Sequence, residues 1–146
     1  MNNQVRVGVS AMIINDGKIL LGHRCANKKD TGGIVGRDTW SLPGGKQEMD
    51  ETFYECAIRE TKEECNLDIS NPKLLIAFDD IAPDRHFVTL TTMTSEFSGE
   101  LKVMEPEKED EWKWFDIDNL PDNLYSPSKQ SIIWYKDNVW KRQEKN

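Results

Sequence analysis

Hydrophobic residues along this chain change their spacing several times, and each change marks an element. Val5 to Ile14 is apolar and β-branched, as a strand requires. Asn15-Asp16-Gly17 follows as a hairpin turn, and Lys18 to Arg24 reads as the returning strand. Leu74 to Phe78, Phe87 to Glu96 and Leu101 to Met104 read as further strands, with Ser98-Gly99 as a tight turn. Trp112 to Phe115 is a short last strand.

Two segments carry a helical period instead. Thr52, followed three residues later by Glu55, forms a capping box in which hydroxyl and carboxylate each satisfy an orphan backbone N–H, so a helix starts near Phe53. Tyr54, Ala57, Ile58, Thr61 and Cys65 recur at i, i+3, i+4, i+7 spacing and predict its packing face. Asn66 suits a left-handed stop. The second helix runs from Ser126 to Trp140, with Ser126 as cap, Pro127 at the first helical position, and Ile132, Ile133, Tyr135, Val139 and Trp140 at core spacing. A mixed β-sheet between the two helices gives an α/β/α sandwich, expected as a single domain over residues 1–146. Asn27 to Asp38, with Gly32, Gly33 and Gly36 among Lys28, Lys29 and Arg37, reads as a loop, either a plain surface connection or a lid over substrate.

The first helix also carries chemistry. At about 100° per residue, Glu60, Glu63 and Glu64 fall on one arc about 100° wide, expected to face away from the apolar stripe. Two local rules are broken there. Glu63 and Glu64 sit in the last turn, where the helix dipole favours cations, and Glu60 and Glu64 are a like-charge i, i+4 pair. A bound divalent cation would compensate both. The Pro43-Gly44-Gly45 turn lets backbone groups approach a ligand closely, and Arg59 is placed to pair with Glu51 and hold the loop to the helix.

Gly45, five residues, Glu51, seven residues, Arg59-Glu60, two residues, then Glu63-Glu64 resembles the signature box of the Nudix hydrolases. Leu20-Leu21-Gly22-His23-Arg24 is similar to that family's second strand and Trp40 to Gly45 to its entry loop. Met104-Glu105-Pro106-Glu107-Lys108, Trp112-Lys113-Trp114-Phe115 and Asn119-Leu120-Pro121 resemble the MutT-type nucleoside triphosphate pyrophosphatases, which include oxidised-nucleotide sanitising enzymes. Thr61, Asn66 and Asp50 depart from the usual box residues.

The resemblance implies Mg²⁺, with Mn²⁺ as a substitute, held by Glu60, Glu63, Glu64 and a backbone carbonyl of Gly45. It implies that Arg24 meets the phosphates, and that the general base is a box glutamate, Glu63 or Glu64, or a loop glutamate, Glu107. Arg59 and Glu51 complete the catalytic group. Gly44 and Lys46 join the substrate-binding group, and Phe78, His86, Thr89 and Trp114 are candidate lining for a nucleobase.

Composition narrows the partners. A net charge of −7 and a pI near 4.9 argue against a sequence-independent grip on nucleic acid polymers. There is no run of about 18 apolar residues and no signal-peptide pattern, so a soluble cytoplasmic protein without membrane contact is expected, as monomer or homodimer. Cys56 and Cys65 lie about 13.5 Å apart along one helix, too far for a disulfide, and three thiols with only His23 and His86 make a zinc site improbable.

Three readings stand at this level. The first is a Mg²⁺-dependent nucleoside triphosphate pyrophosphohydrolase acting on a small nucleotide. The second is an ADP-ribose or nucleotide-sugar pyrophosphatase, encouraged by Pro83 sixteen residues beyond Leu67. The third is a nucleotide-sensing module without catalysis.

Overall fold

The computed structural model describes residues 4–25 and 36–144. Strands β1 (Arg6–Asn15) and β2 (Lys18–Arg24) form the expected hairpin. Asp16 and Gly17 both take positive φ, 55° and 78°, which matches the turn to the right-handed twist of the strands. The short strands β3 (Trp40–Ser41) and β4 (Gly44–Lys46) follow, then helix α1 (Phe53–Cys65). Strands β5 (Asp68–Ser70), β6 (Lys73–Ala82), β7 (Arg85–Thr94), β8 (Glu96–Ser98) and β9 (Glu109–Asp116) come next. Helix α2 (Ser126–Tyr135) runs into a π-helical turn (Lys136–Trp140) and a last turn, α3 (Lys141–Glu144).

The main sheet has seven strands in the order β3-β2-β1-β7-β6, with β4 added to β1 and β9 to β2. It is mixed: β1 and β7 run parallel and the other pairs antiparallel. Alternation along β1 sends Val9, Ala11 and Ile13 to a core shared with Cys56, Ala57 and Cys65 of α1. Met12 goes to the opposite core, shared with Ile132 and Tyr135 of α2. Strands β1, β2, β7 and β9 therefore feed both layers of an α/β/α sandwich. Strands β5 and β8 form a separate two-stranded ribbon.

Four sequence expectations are corrected. Residues 101–104 form no strand, because the N–H groups of Lys102 and Met104 donate to the C-terminal carbonyls of α1, Cys65 (3.0 Å) and Glu64 (3.3 Å). Those bonds satisfy helix carbonyls that have no partner inside the helix. Helix α2 is capped by Tyr125 without a side-chain bond, Ser126 already being helical, since the Tyr125 N–H is taken by the Trp40 carbonyl at 2.8 Å. Ile133 stays 47% exposed, while Ser128 and Ser131 are buried in its place.

The packing face of α1 is the fourth. Tyr54 and Ile58 are 40% and 39% exposed, and the buried set is Cys56, Ala57, Thr61, Glu64 and Cys65. The helix is turned by about 50° from the expected orientation. Ala57, Thr61 and Cys65 belong to both possible stripes, so period alone does not choose between them. The orientation adopted carries two box glutamates inward.

The capping box forms as read. The Thr52 hydroxyl accepts from the Glu55 N–H at 3.1 Å, and the Glu55 carboxylate accepts from the Thr52 N–H at 2.9 Å. Asn66 closes the helix at φ 67°. Thr52→Ala is expected to lower stability by about 1 kcal/mol in denaturant unfolding; an unchanged midpoint would show that the box contributes nothing.

Candidate active site

The loop entering α1 is fixed by one guanidinium. Arg59 Nε and Nη2 donate to the two oxygens of Glu51 at 2.6 and 3.0 Å. Nη1 donates to Glu60 at 2.9 Å and to Glu63 at 3.2 Å, and Nη2 also reaches the Lys46 carbonyl at 3.2 Å. The fork thus ties loop, β4 and helix together. Hydrogen bonds from Arg59 pull the Glu51 carboxyl down to about 2, and the same bonds hold Arg59 above the usual arginine range. Asp50 supplies a left-handed turn at φ 65°, the conformation for which glycine is the default.

Glu60 and Glu64 point inward. The Glu60 carboxylate packs against Gly45, where an added Cβ would lie 2.5 Å from it, so only glycine allows this approach. A Glu64 oxygen accepts from the Gly44 N–H at 2.7 Å. Between β8 and β9 the chain turns after Glu105, with the N–H groups of Lys108 and Glu109 donating to the Glu105 carbonyl at 2.8 and 3.1 Å. That turn brings Glu105 and Glu109 together, and one oxygen from each of Glu64, Glu105 and Glu109 lies within 4.8 Å of the others.

Burial, followed by the charge of Glu109, raises Glu64 well above the ordinary carboxylate range. Burial raises Glu109 to about 7, with Arg24 opposing and Glu105 reinforcing, and burial raises Glu60 as well. Glu109 Oε1 is buried without a hydrogen-bond partner among the described residues. Crowded oxygens, proton affinities raised first by burial and an orphaned buried oxygen fit a hard divalent cation.

The group opens into a cavity of about 870 Å³ whose lining includes Gly44, Gly45, Lys46, Glu60, Glu64 and Glu109. Of the residues expected to meet substrate, Arg24, Gly44, Lys46 and Thr89 line it. The Arg24 guanidinium stacks 4.3 Å over the Tyr125 ring and donates from Nε to the Gly36 carbonyl.

Other expected site residues lie elsewhere. Glu63 is half-exposed at the rim of the Arg59 network. Glu107 is exposed and outside the carboxylate group, because the turn that gathers Glu105 and Glu109 points the residue between them outward. His86 faces the other side of β7 from Thr89 and bonds Asp79 at 2.9 Å. Trp114 packs on Phe97 in the α1-side core. Phe78 pairs with Thr89 but does not reach the cavity wall. Asn27 to Asp38 falls largely on residues 26–35, outside the described residues, so a lid there is not addressed.

Glu105, Glu109, Tyr125, Asp80, Arg85 and Phe87 were not singled out from sequence. The Glu-Pro-Glu-Lys-Glu run held a usable signal: a turn after the proline places i and i+4 on one side and i+2 on the other.

The profile of the NUDIX domain matches residues 4–135. An ADP-ribose pyrophosphatase of Methanocaldococcus jannaschii is 34% identical over 127 residues, 84% of this chain and 69% of that protein. An 8-oxo-dGTP diphosphatase of Proteus vulgaris is 36% identical over 62 residues, 42% of this chain and 55% of that protein. The crystal structure of a MutT NUDIX hydrolase from Burkholderia pseudomallei superposes with a TM-score of 0.80 at 32% identity, covering 90% of this chain and 98% of the other.

The buried carboxylates make stability depend on pH. With raised pKa values the folded protein holds more protons than the unfolded chain between about pH 4.5 and 7, so stability falls as pH rises through that window. A shift of the size seen at Glu109 corresponds to about 3 kcal/mol. His23 acts in the same direction: burial lowers its pKa, but bonds to Asp38 and Asp110 outweigh that and raise it. Glu51 has the opposite sign, and its contribution is lost only as pH falls toward about 2. Metal-free protein is therefore expected to melt lower at pH 8 than at pH 5.5, and Mg²⁺ to restore the carboxylate share at pH 8. A melting curve indifferent to both pH and Mg²⁺ would contradict the cation fit.

Proposed function

Since the chain belongs to the Nudix family and is a hydrolase of a nucleotide phosphoanhydride bond, we propose that it converts a nucleoside triphosphate, oxidised bases included, to the monophosphate and pyrophosphate with Mg²⁺. One observation carries the choice of triphosphate. The Glu105 to Lys108 run, which resembles the triphosphate pyrophosphatases, is part of the site: Glu105 and the adjoining Glu109 supply two of the three converging carboxylates.

The charge balance of the cavity supports a metal-borne substrate. Among the described residues, five carboxylates and four cationic side chains line it, so these residues give a free polyphosphate no net attraction. A bound divalent cation would neutralise phosphate charge and ease attack by water. Glu60, Glu64, Glu105 and Glu109 would hold it, with Mn²⁺ as a substitute and the Gly45 carbonyl as a further oxygen donor. Arg24, Lys46 and Lys108 orient the phosphates by charge and hydrogen bonding. Tyr125 braces Arg24 by stacking. Glu63 and Glu107 lie outside the converging group, so the acceptor of the water proton belongs to that group. Glu109, which also faces the cation site, is suited to it through whichever carboxylate oxygen the cation leaves free.

A second reading, ADP-ribose hydrolysis, is favoured by the name and 84% coverage of the archaeal relative. Pro83, the sequence feature behind this reading, sits exposed in the β6–β7 hairpin turn. A panel of nucleoside triphosphates and ADP-ribose, assayed with Mg²⁺, distinguishes the two. Pyrophosphate release supports the first, and AMP with ribose phosphate replaces it by the second. Glu64→Gln keeps an oxygen for the Gly44 N–H and is expected to fold normally while losing at least about 100-fold in kcat. Glu107→Gln is expected to stay within about 3-fold of wild type. Near-wild-type turnover by Glu64→Gln would remove it from the mechanism.

A further inference from the structure

The end of the cavity remote from the carboxylates holds a pair of charges that the phosphate chemistry leaves without a task. Asp80 and Phe87 are direct partners across β6 and β7, so their side chains share a face, and with Arg85 they line the cavity. Arg85 Nη2 lies 3.8 Å from Asp80 Oδ2, a loose ion pair, and Arg85 Nε has no acceptor among the described residues. The Arg85 and Asp80 side chains remain 29% and 25% exposed. Neither charge is fully engaged by the fold.

Their distance from the carboxylates suits a nucleotide. Lys46 of β4 pairs with Gly8 of β1, Gly8 with Thr89 of β7, and Thr89 with Phe78 of β6. Three strand spacings, roughly 14 Å, therefore separate the glycines beside Glu60 and Glu64 from the strand that carries Asp80. Phe87 lies between the two ends, 3.8 Å from the position of a Cβ at Gly8, and offers an aromatic surface to a base.

We infer that Asp80, with Arg85 beside it, reads the nucleobase and selects guanine, an assignment that rests on the triphosphate reading above. Guanine alone among the common bases presents two adjacent donors, the ring N1–H and the 2-amino group, which meet both oxygens of one carboxylate. Its O6 accepts from Arg85. Other bases leave one oxygen of Asp80 unpaired in a partly desolvated site, which such a site rejects.

Inosine triphosphate lacks only the 2-amino group. Wild-type kcat/KM is expected to be at least about 10-fold higher for GTP than for ITP. In Asp80→Asn the amide still accepts from N1–H but offers a donor where the 2-amino group was, matching the 2-oxo group of xanthine. The GTP to XTP ratio is then expected to fall at least about 10-fold, with an absolute gain on XTP that also reports a folded enzyme. Calorimetric binding of GMP, IMP and XMP gives the same comparison without turnover. Equal efficiencies for GTP and ITP, or an Asp80→Asn loss uniform across purines, overturn the inference while pyrophosphate release leaves the proposed function standing. If no triphosphate is cleaved, the proposed function fails, and tighter binding of GMP than IMP still upholds the role of Asp80, whereas equal binding removes it.

Discussion

Repulsion between carboxylates held together away from water is the constraint on which the rest of this structure turns. Two unit negative charges within 4.8 Å repel by on the order of 3 kcal/mol at an effective dielectric constant of about 20. Glu64, Glu105 and Glu109 carry that repulsion in a site where burial already disfavours charge. A proton or a divalent cation relieves it. The raised proton affinities and the fit to a metal are thus two expressions of one cause.

The scaffold keeps the group assembled against that repulsion by fixing each carboxylate from outside. Arg59 neutralises the adjoining Glu51 and Glu60 and anchors the loop, while the Gly44 N–H holds Glu64. Glycine at 45 allows Glu60 to approach the backbone of β4. The backbone of residues 102 and 104, instead of extending a sheet, binds the last carbonyls of α1 and leads the chain toward the turn that delivers Glu105 and Glu109. The geometry of the site thus follows from where backbone hydrogen bonds are completed as much as from side-chain chemistry.

The two ends of the cavity differ in kind. Near α1, charges are crowded and held by a network, which suits a fixed position for a reacting phosphate. Near β6 and β7, one aspartate and one arginine are loosely paired beside an aromatic ring. A substrate spanning both would be gripped through its phosphates and sorted by its base, which separates rate from specificity.

Local physics was legible in the chain. The capping box at Thr52 and Glu55, the Asp16-Gly17 turn, the left-handed Asn66 and the pairing of Arg59 with Glu51 each depend on residues close in sequence, whose interaction needs little else to be decided. The layered α/β/α architecture followed as well, because alternation along the strands and the helical period specify opposite faces. What the period left open was the rotation of α1, since Ala57, Thr61 and Cys65 belong to both stripes and only contact with β4 and the 105–109 turn selects the one that buries Glu64. For the same reason Glu109 went unnoticed while Glu107 was expected, and His86 and Trp114 were placed at a site that their strand faces turn away from. Those outcomes depend on groups distant in sequence meeting in the folded chain, such as Glu64 with Gly44 and with Glu109, and no local spacing carries that information.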